Sequence, residues 1–215
     1  MDDAFDLDLD ASLIAYRDGE PVGLGNLGVR GEDAWIGGVG VVPGARRSGV
    51  GETLMRALHE QARERGVQRV WLEVIVENTG ALALYEKLGY ELVQDVEVWR
   101  LPGAEGEHAG REVPPTEAQA QLSERHEPWQ RAAGTLAHYD DLRGLATDSG
   151  AMLFCVRSAA QLQQYVGEPE PLLQALRTFG DASVLNLPAD DPAAQVLRQL
   201  GGSVVVRQHE MLLEL

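Results

Sequence analysis

The sequence predicts a mixed α/β fold, in which helices flank a mixed β-sheet, arranged as two related parts. Between residues 12 and 101 the segments run strand, strand, strand, helix, strand, helix, strand. With 215 residues and 44% hydrophobic content, the chain can form a packed core. A segment near the end of the chain also repeats one from the first half, which indicates the second part.

The first three segments alternate apolar and polar residues and are separated by turn-forming residues. They are SLIAYR, VGLGNLGV and WIGGVGVV, and the turns between them contain DGEP and RGEDA. Short connections of this kind join neighbouring antiparallel strands. We therefore expect an antiparallel meander over residues 12–42.

The next segments alternate between helical and strand patterns. Leu54, Met55, Leu58 and Ala62 recur at helical spacing over residues 52–65, and a glycine follows as a stop. After this come a buried strand, VQRVWLEVIV, a helix, TGALALYEKLG, and a further strand, YELVQDVEVWRL.

The composition changes after Leu101 to PGAEGEHAGREVPP, which has no apolar period and reads as a linker. We therefore predict a first domain over residues 1–103, a linker over 104–115 and a second domain over 116–215. In the second domain we expect helices over 116–146, a strand at AMLFCV and a helix at EPLLQALRTFG.

The internal repeat appears when residues 70–90 are placed without gaps on residues 182–202. Leu88 and Gly89 then coincide with Leu200 and Gly201, and both segments run strand, acidic turn, helix, strand. One supersecondary unit thus occurs twice, which predicts two related domains.

The charge of the chain restricts its partners. Its 34 acidic and 18 basic residues give a formal net charge of −16, which repels the phosphates of nucleic acid and attracts cationic substrates. We find no run of about 18 apolar residues for a membrane helix and no cationic leader, so we expect a cytoplasmic protein. Cys155 lies in an apolar run and is interpreted as a core residue. No metal site is predicted.

Two glycine patterns occur in the first half, and only one has the context of a ligand site. Gly23, Gly25 and Gly28 fit the dinucleotide pattern G-x-G-x-x-G, but no helix follows, so we interpret them as strand positions. In contrast, GARRSGVG lies between a strand and a helix. Its glycines allow a tight turn, the helix amides face into that turn, and two arginines favour phosphate, which predicts an anion site.

At this point the residues resemble a known family. Val41, Pro43 and the run Arg46–Gly51 are similar to the acetyl-coenzyme A motif of the GNAT N-acetyltransferases, [RQ]-x-x-G-x-[GA]. Downstream, WLEVIVENTGALALYEKLGY resembles the family segment L-E-V, then Asn, then A-x-x-L-Y-E-K-L-G-[FY]. Together the two motifs cover residues 36–101. The resemblance implies a GNAT fold with a central, splayed sheet, followed by a smaller GNAT-like half.

The resemblance also implies which residues bind acetyl-coenzyme A (acetyl-CoA). Backbone groups of Val39, Gly40 and Val41 would pair with the pantetheine arm as an added strand does. The pyrophosphate would be held by the loop and first helical turn, formed by Arg46, Arg47, Ser48, Gly49, Val50, Gly51 and Glu52. Asn78 would hydrogen-bond the cofactor, or cap the following helix, or do both.

Two catalytic residues follow from the same resemblance. Tyr85 matches the family tyrosine that donates a proton to the departing thiolate; its alternative is a core aromatic. Glu73 matches the general base of ribosomal-protein alanine N-acetyltransferases, and a carboxylate on an apolar strand suits that role. Glu77 and Glu32 are the substitutes for Glu73, since many members of the family place the base elsewhere.

The chain departs from the family pattern at two points. The strand and two helices that usually precede the meander have no counterpart before Ser12, and the segment 116–146, with Trp129 and Tyr139, is the candidate replacement. In the second half, Glu73, Asn78 and Tyr85 align with Leu185, Asp190 and Leu197, and RSAAQLQQYVG replaces the pyrophosphate loop without paired glycines. We therefore expect a degenerate, non-catalytic second domain of a tandem GNAT protein.

The sequence thus predicts an N-acetyltransferase that moves an acetyl group from acetyl-CoA to a primary amine by direct attack. The acceptor stays open among a peptide α-amine, an aminoglycoside, a polyamine and a small metabolite. The alternative is a non-catalytic CoA-binding regulatory or interaction module. A weaker possibility is a structural role in which the acidic second half mediates self-association, as in a homodimer.

Overall fold

The computed structural model describes residues 5–107, 110–122 and 126–215. The chain divides into two compact units. Unit 1 contains the residues up to Val93 together with His209–Leu215, and unit 2 contains Gln94–Gln208.

The first part of the chain forms the strands and helices that the sequence predicts, in the predicted order. They are β1 (Leu13–Arg17), β2 (Glu20–Arg30), β3 (Asp33–Val41), α1 (Val50–Glu64), β4 (Arg69–Ile75), α2 (Thr79–Lys87) and β5 (Glu91–Leu101).

The second part contains six strands and four helices among the described residues. They are β6 (Arg111–Val113), α3 (Pro115–Gln119), α4 (Ala133–Leu136), β7 (Leu142–Thr147), β8 (Gly150–Val156), β9 (Ala160–Gly167), α5 (Pro169–Leu176), β10 (Ala182–Pro188), α6 (Pro192–Gln199) and β11 (Ser203–Glu214).

The sheet of unit 1 has the order β1, β2, β3, β4 and then the C-terminal part of β11. The meander β1–β2–β3 is antiparallel, as predicted. β3 and β4 are parallel because α1 carries the chain back between them, and they pair only over Asp33–Trp35 and Arg69–Trp71. The backbone N–H of Leu215 donates to the carbonyl of Gln68 (2.8 Å), which fixes the end of the chain beside β4.

The core of unit 1 lies between its sheet and α1. Leu54, Met55, Leu58 and Ala62 are all buried on the sheet side of this helix, as their spacing predicts. Gly25 on β2 faces the helix, and a Cβ there would lie 2.7 Å from a methyl carbon of Leu58. Gly23, Gly25 and Gly28 all lie within β2, which confirms their interpretation as strand positions.

The sheet of unit 2 has the order β11 (its first part), β5, β10, β9, β8, β7 and β6. β7, β8 and β9 form a second antiparallel meander, and β9 pairs in parallel with β10 over only three residue pairs. The helices α5 and α6 bury Leu172, Leu173, Leu176 and Leu197 in a core that also contains Trp99.

The predicted repeat is present as two strand-helix units, β4–α2 and β10–α6. Both helices end at a glycine in the left-handed conformation, Gly89 (φ 94°) and Gly201 (φ 83°). The ungapped alignment is one residue out at the start of the second helix, because Asn186 (φ 47°) forms a bulge in β10. The residue that caps α6 as Asn78 caps α2 is therefore Asp191, and the aligned Asp190 precedes it.

The compact units follow a different division from the predicted domains 1–103 and 116–215. Most of β5 pairs with β10 in unit 2, and the end of β11 lies beside β4 in unit 1. Within the predicted linker, 104–115, residues 111–113 form β6, while residues 108 and 109 lie outside the described chain. The predicted helices over 116–146 are reduced to the short α3 and α4, and β7 occupies the end of that segment.

We predict that the end of β11 is essential for the stability of unit 1. The side chain of Met211 is 1% exposed in the core of that unit, so Met211→Ala is expected to lower its free energy of unfolding by about 2–5 kcal/mol. Val205 lies on the same strand but is 60% exposed, and Val205→Ala should change stability by less than about 0.5 kcal/mol. Amide hydrogen exchange in α1 measures the effect, and unchanged protection of α1 in Met211→Ala would contradict the prediction.

Candidate active site

A cavity of about 600 Å³ lies in unit 1 where β3 and β4 separate. Its walls are the end of β3, the loop that follows, the first turn of α1 and one face of α2. The lining residues are Val39, Gly40, Val41, Arg46, Arg47, Gly49, Gly51, Glu52, Asn78, Gly80, Ala81, Leu84 and Tyr85. The size is within the usual range of small-molecule sites.

The cavity follows from the short pairing of the two parallel strands. Trp35 is the last residue of β3 that pairs with β4, whereas β3 continues to Val41 and stays paired with β2 on its other side. The backbone of Val39–Val41 therefore has an edge toward the gap that β4 does not use. A ligand with amide groups can bind such an edge as an additional strand.

The loop between β3 and α1 is shaped to hold an anion. Arg47 (φ 61°) and Gly49 (φ 88°) both have left-handed backbone conformations, and Gly49 is the N-cap of the 15-residue helix α1. Because glycine supplies no capping side chain, the first amides of α1 have no side-chain acceptor. These amides and the positive end of the helix dipole point into the cavity wall, where a phosphate is favoured.

Charged side chains around the loop are arranged to favour anions. The Nε of Arg46 donates to the carbonyl of Val41 (3.1 Å), which places this guanidinium across the loop. Glu52 also lines the cavity, but its carboxylate pairs with Lys87 (2.5 Å) and Arg56 (2.9 Å). Hydrogen bonds from Lys87 and then Arg56 lower the pKa of Glu52 and offset its negative charge. The carboxylate of Glu52 thus connects α1 to α2. Because it is already paired with two cations, it repels a bound phosphate less than an unpaired carboxylate would.

Asn78 fulfils the capping role that the sequence predicts and also lines the cavity. Its side-chain oxygen accepts a hydrogen bond from the backbone N–H of Ala81 (3.3 Å) at the start of α2. The cap uses only the oxygen, so the amide nitrogen of Asn78 is not part of it. Ligand binding through that nitrogen is compatible with the cap.

Tyr85 lies in the cavity wall and is held by a buried aromatic cluster. Its ring packs against Tyr90 at a centroid distance of 5.8 Å, and its carbonyl accepts the backbone N–H of Tyr90 (3.0 Å). The hydroxyl of Tyr90 is in turn hydrogen-bonded to Nε2 of buried His59 (3.0 Å). Burial raises the pKa of Tyr85, so its phenol stays protonated at neutral pH.

Three residues of the predicted site do not line the cavity. The hydroxyl of Ser48 donates to the carbonyl of Ala45 (2.7 Å), so it shapes the loop from outside. Val50 faces β2, where its side chain lies near Gly23. Glu73 projects from the face of β4 opposite the α1 core, and its Oε2 accepts a hydrogen bond from Nε1 of Trp35 (2.8 Å).

The structure adds residues that the sequence reasoning missed. Gly80, Ala81 and Leu84 line the cavity beside Tyr85. The spacing of Ala81, Leu84 and Tyr85 is that of one helix face, so the helical period of α2 was the signal that could have identified them.

The corresponding gap in unit 2 is filled by the protein's own side chains. β9 and β10 pair over Ala160–Leu162 and Ala182–Val184 and then separate. Fully buried Arg131 lies between the separating strands, where its Nε donates to the carbonyl of Gln163 (2.6 Å) and its Nη1 to that of Asn186 (3.4 Å).

Further contacts close this gap. Glu127 pairs with the guanidinium of Arg131 at 3.4 Å, and the side-chain amide of Gln164 donates to the Arg131 carbonyl (2.7 Å). The hydroxyl of Tyr165 donates to the carboxylate of Asp191, the N-cap of α6. The segment RSAAQLQQYVG, predicted as the counterpart of the pyrophosphate loop, contains the whole of β9 instead. Four of its side chains, Ala160, Leu162, Gln163 and Tyr165, are buried in this strand.

Among the described residues, no group of three or more His, Cys, Asp and Glu side chains is placed to hold a metal ion. In the same residues, no helix has the length and apolar character needed to cross a membrane.

Comparison with known proteins agrees with the geometry of the cavity. Residues 1–90 match the model of the acetyltransferase (GNAT) family. These residues form a GNAT domain. Its range includes all the strands, loops and helices that line the cavity.

Two curated relatives match parts of the GNAT domain. Streptothricin acetyltransferase of Streptomyces lavendulae is 40% identical over 70 residues, which are 32% of this chain and 37% of that protein. The [ribosomal protein bS18]-alanine N-acetyltransferase of Escherichia coli (strain K12) is 39% identical over 59 residues, which are 27% of this chain and 40% of that protein. The matched part is therefore well under half of either relative.

Solved structures show that the fold extends beyond the GNAT domain. A GCN5-related N-acetyltransferase from Sphaerobacter thermophilus superimposes with a TM-score of 0.73 at 17% identity, covering 94% of this chain and 80% of that one. A tandem GNAT protein from the clavulanic acid biosynthesis pathway gives a TM-score of 0.64 at 15% identity, covering 95% and 83%. The tandem architecture predicted from the internal repeat is thus confirmed at the level of fold.

We predict that acid weakens the GNAT domain through His59. Burial is the main cause that lowers the pKa of His59 from 6.5 to about 4, so the folded state keeps this imidazole neutral while the unfolded state protonates it. The free energy of unfolding is therefore highest, as far as His59 determines it, above about pH 6.5. It decreases as the pH falls toward 4, by at most about 3 kcal/mol.

Unfolding in denaturant at several pH values between 4 and 7 measures this effect. His59→Gln keeps a neutral polar group beside Tyr90 and should flatten the pH dependence over that interval. Exposed His138, which lies in unit 2, provides the matched control His138→Gln. An equally steep pH dependence in His59→Gln and in the unmodified protein would contradict the assignment.

Proposed function

We propose that unit 1 binds acetyl-CoA and catalyses transfer of its acetyl group to a primary amine. The observation that carries the proposal is the single cavity into which separate segments bring the β3 backbone, the arginines of the loop, Asn78 and Tyr85. Arg46 and Tyr85 are far apart in the sequence, but both line this cavity.

The cavity suits the chemical groups of acetyl-CoA. The edge of Val39–Val41 that β4 does not use offers backbone donors and acceptors to the amides of a pantetheine arm. Arg46, Arg47 and the first amides of α1 offer positive charge and hydrogen-bond donors to a pyrophosphate. Gly40 and Gly51, which carry no side chain, line the same cavity.

When bound, acetyl-CoA supplies an acetyl thioester, and the chain supplies groups that position it and move protons. Tyr85 donates a hydrogen bond from its phenol toward the sulfur that departs. Because burial raises the pKa of Tyr85 above that of an ordinary phenol, the phenol is a proton donor at neutral pH and does not compete as a base.

Glu73 is proposed as the group that accepts the proton of the amine. It lies two residues beyond Trp71, the last residue of β4 that pairs with β3, and therefore at the edge of the gap. It faces the side of the sheet opposite the α1 core, and the indole N–H of Trp35 holds its carboxylate. An amine that enters the gap from this side would meet Glu73, with Tyr85 on the helix-covered side.

The substitutes for Glu73 are less suitable. Glu32 precedes β3, at the opposite end of that strand from the cavity, and its carboxylate accepts a hydrogen bond from Gln68 (2.8 Å). Glu77 is exposed in the turn before α2. Neither substitute shares the position of Glu73 beside the last β3–β4 pair.

The acceptor is proposed to be an α-amine or another amine of moderate pKa. At pH 7 a free α-amine of pKa about 8 is neutral in about one molecule in ten, whereas a lysine of pKa about 10.4 is neutral in about one in a few thousand. One carboxylate is a weak base and suits the first class better. The two relatives described above, named for streptothricin and for the alanine of ribosomal protein bS18, are consistent with amine acceptors.

Unit 2 is proposed to bind no cofactor. Arg131 and Tyr165 occupy the gap between β9 and β10 that would correspond to the cavity of unit 1. Trp129 is buried and half-buried Tyr139 packs against a small core cluster of unit 2, so their predicted alternative role as core aromatics is favoured over a role in the acceptor pocket. The chain would therefore carry one acetyl-CoA site.

A second candidate function is a CoA-binding module without transferase activity. The sheet face that carries Glu73 also bears Ile14, Tyr16, Leu24 and Ile75, whose side chains are 47–63% exposed. Described residues of unit 1 thus do not enclose the acceptor side, which favours this candidate. Release of CoA thiol in the presence of an amine panel separates the two functions.

We predict that Tyr85→Phe lowers kcat for acetyl transfer by about 10²-fold, because it removes the proton donor but keeps the ring. The affinity for acetyl-CoA should change by less than about threefold, since the ring still fills the cavity wall. Tyr16→Phe removes an exposed phenol from the other sheet face and is the matched control. Unchanged kcat in Tyr85→Phe, measured with an acetylated amine, would remove Tyr85 from the mechanism.

We also predict one CoA bound per chain in isothermal titration calorimetry. The double variant Arg46→Ala, Arg47→Ala should weaken binding by about 10²-fold or more, since it removes two charge-assisted contacts. Arg63→Ala, at an exposed position late in α1, is the control and should bind normally. Two equivalents bound to the unmodified chain would show that unit 2 also binds CoA, and full affinity retained in the double variant would show that Arg46 and Arg47 do not hold the cofactor.

A further inference from the structure

A third arginine lies beside the anion-binding loop, outside the cavity. Arg17 is the last residue of β1, and its Nη2 donates to the hydroxyl of Ser48 (2.6 Å). Ser48 in turn donates to the carbonyl of Ala45 (2.7 Å), so the guanidinium is attached to the outer side of the loop. Neither Arg17 nor Ser48 lines the cavity.

The charge environment of Arg17 differs from that of most arginines in this protein. Acidic residues outnumber basic ones by 34 to 18, and most described arginines pair with a carboxylate. Among the described residues, Arg17, Arg46 and Arg47 have no carboxylate within ion-pair distance, although Asp18 and Glu20 lie in the turn next to Arg17. Three guanidinium groups therefore surround one loop with their charge available to a ligand.

This arrangement suits a second phosphate group of CoA, separate from the pyrophosphate. The cavity is lined by groups for the pantetheine arm and the pyrophosphate, whereas the 3′-phosphate on the ribose is a separate dianion farther along the molecule. A planar guanidinium at the rim of the pyrophosphate loop is suited to bind such a phosphate with two parallel hydrogen bonds. The pyrophosphate itself is already served by Arg46, Arg47 and the amides of α1.

We propose that Arg17, held by Ser48, is a specificity residue that recognises the 3′-phosphate of CoA. The proposal rests on the proposed function, since it assumes that CoA binds in the cavity of unit 1. It goes further because Arg17 lies outside both family motifs. Arg17 would distinguish CoA from the analogue that lacks the 3′-phosphate. Because Arg17 is exposed, salt should weaken this distinction.

The test combines a change in the protein with a change in the ligand. Affinities of CoA and 3′-dephospho-CoA are measured by calorimetry for the unmodified chain, Arg17→Met, Arg17→Lys and Ser48→Ala. Arg63→Met is the matched control, because it removes the same charge from an exposed position in α1 remote from the loop.

The unmodified chain and Arg63→Met should bind CoA about tenfold more tightly than 3′-dephospho-CoA, a difference of about 1.4 kcal/mol. In Arg17→Met the preference should fall to about twofold, while the affinity for 3′-dephospho-CoA stays within about twofold. Arg17→Lys should retain part of the preference through its charge, and Ser48→Ala should reduce it because the guanidinium loses its anchor.

Other outcomes would overturn the proposal. Equal affinities for the two ligands in the unmodified chain would show that the 3′-phosphate is not recognised. Equal weakening of both ligands in Arg17→Met would show that Arg17 only supports the loop. A chain that binds neither ligand would refute the proposed function itself, which separates that failure from the failure of this inference.

Discussion

The parallel pairing of β3 with β4 stops after three residue pairs, and the candidate site depends on this one constraint. Beyond Trp35 and Trp71 the strands separate, so β4 does not use the edge of Val39–Val41, and α1 begins beside the gap. The left-handed conformations of Arg47 and Gly49 then turn the loop so that the helix amides face the same space. The gap, the strand edge that β4 does not use and the position of the loop beside the gap are thus consequences of one interruption in the sheet.

Unit 2 contains the same interruption with the opposite outcome. β9 and β10 also pair over three residues, but the backbone groups in their gap are satisfied by Arg131 and the phenol of Tyr165 bonds Asp191. Burying a guanidinium is costly without opposite charge and acceptors; here Glu127 supplies the opposite charge and two carbonyls accept hydrogen bonds from Nε and Nη1. The repeat therefore supplies two equivalent gaps, one open to a ligand and one closed by protein groups.

Basic side chains are concentrated around one small region of an acidic chain. A net charge of −16 disfavours phosphates over most of the surface, but Arg17, Arg46 and Arg47 surround the loop, and Lys87 and Arg56 offset the charge of Glu52. Behind this region, Tyr90 and neutral His59 hold Tyr85 from the core side. Positively charged side chains and a protonated phenol thus line one cavity.

The sequence by itself determined the local features: the order of elements from β1 to β5, the glycine loop, the Asn78 cap and the helix that presents Tyr85. Each of these depends on residues close together in the chain, through apolar period, turn chemistry and capping. Only the tertiary structure decided that β11 completes unit 1, that Glu73 and Tyr85 lie on opposite sides of the gap, and that Arg131 closes its counterpart. Strand partners and buried polar contacts join residues far apart in sequence, and no local pattern specifies them.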